Sequence, residues 1–129
     1  MIFEDSDGWI LCAITLAGQR ASLTKVMWTA DHLNVALPTL AELNGALDRL
    51  GRSGLVRRTG DLLSVAAAIS EFHMQWMHEP ARLLVPRFDD FLRSWQRHDG
   101  SIVQPYTAAE LARAQDEYTG GNAGPRRLK

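Results

Sequence analysis

The chain has 129 residues, 46% hydrophobic and 22% charged, which suits one ordinary globular domain with enough core to fold without staples. Its formal charge of -1 and pI near 6.4 leave any attraction to polyanions to a local patch, which counts against a strong non-specific DNA binder. The single Cys12 excludes a disulfide framework within the chain and, inside the apolar run "GWILCAITLAG", reads as a small buried hydrophobe.

The start "MIFEDSDG" is acidic where a signal peptide needs positive charge, and no apolar run reaches the roughly 20 residues that cross a bilayer. A cytoplasmic location without a membrane partner is the expectation. A first helix is expected from near Asp7, as its cap, through Ile10, Leu11, Ile14 and Leu16 to Gly18. It is apolar on most sides and should be central. A second helix follows Ser22 as N-cap, with Leu23, Val26, Met27, Ala30 and Leu33 on one face, and stops near Asn34.

Pro38 fits the first position of a third helix, whose Leu40, Leu43, Leu47 and Leu50 recur at steps of three and four. Thr39, Glu42, Asn44, Gly45, Asp48 and Arg49 are left outward or on the flanks. Gly51 and Gly54 permit the left-handed backbone that ends a helix, and "LVRRTGDLLSV" then reads as a hairpin turning at Thr59-Gly60-Asp61.

From Ala66 the helical pattern resumes with Ile69, Phe72, His73, Trp76 and Met77 until Pro80. A further helix starts at Pro86, with Asp89 and Asp90 in its first turn, Arg93 and Arg97 in its last, and Phe88, Phe91, Leu92 and Trp95 inward. Thr107 and Glu110 form a capping box for a short helix over about 107–118, and "GGNAGPRRLK" is expected to be disordered. The fold class is therefore mainly α with a small β-hairpin.

Three helices running into "LDRLGRSGLVRR" and a hairpin resemble a winged helix-turn-helix domain of the MarR and PadR kind of bacterial regulators, through Leu43, Leu47, Leu50, Gly54, Leu55, Val56, Arg57 and Arg58. "TADHLNVALPTLAELNGALDRL" also resembles a stretch of uncharacterised bacterial winged-helix proteins. The resemblance implies a winged-helix domain over 1–65, two or three C-terminal helices over 66–98 that pack on it or form a dimer interface, and a short helix with tail over 99–129. It also implies a transcriptional regulator in which the third helix and wing contact duplex DNA.

In that reading Thr39 and Asn44 meet base edges, while Arg49, Arg52, Arg57 and Arg58 hold phosphates. Glu42 and Asp48 on the same helix repel phosphate, so the alternative is a winged-helix module that binds protein and not DNA. Phe72, Trp76, Met77, Phe88, Phe91 and Trp95 are the candidate surface of a homodimer, whose counterpart is an intramolecular cap over the core.

His73 and His78 are five apart, not the i, i+4 spacing that puts two ligands on one helix face, so they and Glu71 and Glu79 give no metal site. The sequence contains no Gly-rich phosphate loop after a strand and no nucleophile elbow. No catalytic residue, metal or cofactor is therefore assigned, and a small-molecule effector is left open.

Overall fold

Glu4, not Asp7, opens the first helix, α1 (Asp5–Ala17), in the computed structural model, which describes residues 2–34, 36–96 and 98–119. Asp7 stands one turn further in, with its backbone N–H on Glu4 O and its carboxylate accepting the Glu4 N–H at 2.8 Å. The difference has a physical cause: Asp7 is wholly buried and faces Arg49, so the role of cap passes upstream. As its composition suggests, α1 is central. Ile10, Leu11, Cys12, Ala13 and Ile14 have no exposed surface, and α2, α3 and α5 all pack on it.

The strand β1 (Ala21–Ser22) leads directly into α2 (Leu23–Asn34), whose Lys25 N–H is accepted by Ser22 Oγ. Trp9 of α1 donates its indole N–H to Ala30 O of α2 at 2.9 Å, which fixes the two helices in register. The third helix, α3 (Leu40–Arg52), begins one residue after Thr39, so Pro38 lies before the cap and not in the first turn. Here Thr39 Oγ1 accepts the Glu42 N–H and Glu42 returns the favour to Thr39 N–H, a complete capping box.

After α3, the strands β2 (Val56–Thr59) and β3 (Leu62–Val65) pair antiparallel around Gly60 and Asp61. Gly60 takes a φ of 61° and Gly54 one of 78°, backbone that glycine adopts without strain. Gly51, by contrast, is an ordinary helical residue; its missing Cβ admits Val103 and Ser101 to within contact of the helix backbone. A third strand joins the hairpin, because Ala21 and Ser22 pair with Leu63 and Leu62, and the sheet order is β1-β3-β2. β2 is thus an edge.

The fourth helix, α4 (Ala67–Gln75), ends before Trp76, short of the Met77 to Pro80 limit its periodicity suggests. A turn of 3₁₀ helix (Ala81–Leu83) then enters α5 (Leu84–Ser94), so Pro86 sits in the first turn of a helix that begins two residues earlier, and Asp89 and Asp90 lie in its middle. Gly8 of α1 lets Asp89 approach so closely that a Cβ there would overlap its carboxylate. The last helix, α6 (Ala108–Thr119), has the Thr107–Glu110 capping box expected of it and packs on α2. Arg97 and the tail "GGNAGPRRLK" lie outside the described residues. The chain is mainly helical with one small antiparallel sheet, and its core sits around α1.

Candidate interaction surface

Residues 98–107, ahead of α6, run as an extended strap along α3 and against the hairpin. Gly100 donates its N–H to Arg52 O, Val103 packs on Gly51, and Tyr106 reaches Asn44. The Asn44 side chain acts as a surrogate strand, donating from Nδ2 to Tyr106 O and accepting the Tyr106 N–H on Oδ1, each at 2.9 Å. A glycine at 100 is required, since a Cβ would fall 1.9 Å from Gly51 O. No periodic pattern in "HDGSIVQPYT" announces this segment, which is why the sequence reading leaves it out.

Each candidate side chain on α3 has a partner. Thr39 is the helix cap. Arg49 arches over Gly45 and grips Asp7 with two bonds of 2.7 and 2.8 Å, with Glu4 at 3.3 Å. Hydrogen bonding to Asp7 pushes the Arg49 guanidinium still higher in pKa. Arg52 pairs with Asp48 one turn back. The stripe of α3 left open to solvent is Ala41, Asp48 and Arg52, with Glu42 beside it and Gly45 partly covered by Arg49.

On the hairpin, alternation separates two neighbours. Arg58 points inward, where its guanidinium lies 3.7 Å from the Tyr106 ring centroid and donates to Gly60 O, Gln104 O, Pro105 O and Glu110. Only 10% of its side chain is exposed. Glu110 is held below the ordinary carboxylate range, first by the Thr107 backbone N–H and then by Arg58, while burial raises the Tyr106 phenol. Arg57 points outward, is exposed, and its side chain makes no hydrogen bond or ion pair with the described residues.

The aromatic residues after the hairpin pack on the core. Phe88 is fully buried, and Phe72 contacts it edge-on and meets Phe91 at 4.8 Å. Phe91 stacks on Trp95, whose indole N–H reaches Ser53 O at 2.8 Å. Trp76 lies under the Arg87 guanidinium, which Glu79 holds in place. Met77 is 64% exposed, together with Met74 and Leu83. His73 is half-buried beside Phe88, and burial lowers its pKa; Glu79 is spent on Arg87. Cys12, in the core, has its thiol pushed up to about 12 by burial, far from the range of a reactive thiolate.

The sequence carries one signal for part of this arrangement, the Thr39-Leu40-Ala41-Glu42 capping box, which assigns Thr39 and Glu42 to the helix start. Nothing local marks Asp7, Tyr106 or Glu110 as the partners of Arg49, Asn44 and Arg58, since they are 42 or more residues distant. Compared with protein-family models, curated proteins and solved structures, the chain matches none.

Proposed function

We propose that this chain is a winged-helix module whose exposed face binds protein, not duplex DNA. The order of helix, strand, two helices and hairpin, with the short first strand laid on β3, supports the winged-helix reading. The observation that carries the choice of partner is the commitment of Thr39, Asn44, Arg49, Arg52 and Arg58 to contacts inside the chain, with Arg57 left over. A DNA-reading helix offers donors to base edges and cations to phosphates. The open stripe of α3 offers Glu42 and Asp48 against one arginine that already pairs with Asp48, and such a surface is repelled by a phosphate channel.

A benzophenone amino acid placed at Ala41 or at Arg57, both exposed, reports the partner in cells. Adducts destroyed by protease and resistant to nuclease are the expected result. Nuclease-sensitive adducts overturn the reading, as does binding to mixed genomic duplexes at low salt that weakens steeply as salt is added.

A further inference from the structure

We infer that the free edge of β2 is the docking site, and that its ligand is an extended acidic peptide added as a fourth strand. The inference rests on the protein-binding reading above and names the surface and chemistry of the partner. Thr59 and Leu62 flank a two-residue loop, so they form a closely hydrogen-bonded pair, and strict alternation makes Arg57 and Ser64 the next. The Ala66 N–H on Leu55 O falls in the same phase. It follows that Val56 and Arg58 turn their N–H and C=O groups away from β3, toward the edge, where no backbone bond of the described residues uses them.

A groove of about 580 Å³ is lined by Val56, Arg57 and Arg58 of β2, by Ser64 and Val65 of β3, and by the strap from Asp99 to Val103. Its chemistry is mixed: Arg57 supplies a guanidinium with no partner among the described residues, Asp99 a carboxylate that has a contact of its own, and Ile102, 67% exposed, an apolar surface. A strand that alternates carboxylate and aliphatic side chains matches Arg57 and Ile102 while its main chain pairs with Val56 and Arg58. A second copy of the chain does not match, because antiparallel pairing of two such edges through Val56 and Arg58 sets Arg57 across from Arg57, and like charges opposed on a sheet destabilise it.

The probe is acetyl-Val-Glu-Val-Glu-Val-amide, titrated into the isotope-labelled full chain. Saturable binding is expected, with slowed exchange of the Val56 and Arg58 amides. Arg57→Glu, on an exposed side chain that holds nothing in the fold, weakens binding by about tenfold and favours the matching Val-Lys peptide instead. Methylating the peptide nitrogens at one alternate set of residues abolishes binding, and methylating the other set spares it, because only one set faces β2. Equal effects of the two sets, protection on α3 in place of β2, or no binding of the peptide each overturn the edge inference. None of these results touches the protein-binding reading, which the nuclease and protease sensitivity of the cross-links decides separately.

Discussion

Arg57 and Arg58 are consecutive on one strand and live in opposite circumstances. Arg58 ties the hairpin to the strap and to α6 through an aromatic ring, three carbonyls and a carboxylate, whereas Arg57 touches no partner among the described residues. The period-two alternation of a strand is the cause. The lesson extends to α3: a cation near a helix end says nothing about use until the opposite face is known, and here the inward and flanking side chains are structural. The covered side and the open edge should therefore respond differently to mutation.

The largest effect is expected on the covered side, at Arg49. Arg49→Ala leaves Asp7, which has no exposed surface, without its guanidinium, and stranding one partner of a buried pair costs about 3 to 5 kcal/mol. Thermal unfolding of the variant should fall by roughly 10 °C or more. The double variant Asp7→Ala, Arg49→Ala should recover part of that loss, because the stranded charge is gone. A surface role for Arg49 predicts instead a change below about 0.5 kcal/mol in both variants.

Next come the two anchors of the strap. Asn44→Ala removes both bonds to Tyr106 and leaves a partly buried N–H and C=O unpaired, a loss of about 1 to 3 kcal/mol. Arg58→Ala removes the contacts to Gln104, Pro105 and Glu110 and should fall in the same range. Hydrogen exchange distinguishes these from global damage. In both variants α6 and the strap should lose protection before α1 does, since α1 keeps its core contacts.

What was legible in the sequence follows the same division. Helical leucines, the hairpin, the Ser22 cap and the Thr107–Glu110 box are local signals, and the structure carries each of them. Boundaries shifted where a distant partner competed, as when Asp7, paired with Arg49, completes the capping box that Glu4 opens and is not itself the cap, and Gly51 served close packing against Val103 in place of a left-handed turn. The strap was illegible because its stability is bought from Asn44, Gly51 and Arg58, residues whose own neighbourhoods give no hint of it.

Acid should loosen the covered side selectively. The folded-state pKa of Glu110 lies below the ordinary 4.5, so its contribution is complete above that value and is lost as the pH falls through the lower one. The expected observation is that, as the pH is lowered beneath 4.5, protection in α6 declines before that of α1, and that Glu110→Gln shows the loosened pattern already at neutral pH. Uniform loss of protection across both helices would remove Glu110 from the account.

The smallest effect is expected at Arg57, and it is the most informative. Its side chain is exposed and has no partner among the described residues, so Arg57→Ala should change stability by less than about 0.5 kcal/mol, the ordinary range for surface substitutions. The cost of keeping an arginine there is then not repaid in the fold. One structural use would survive that argument, since a cation on an exposed edge strand discourages edge-to-edge pairing of copies. The two uses separate on measurement: if Arg57 only guards the edge, Arg57→Ala should self-associate as concentration rises and the alternating acidic peptide should bind it no less well. If the guanidinium receives a carboxylate, the variant keeps the association state of the parent and loses affinity for that peptide. Sedimentation and peptide titration on the same sample decide between them.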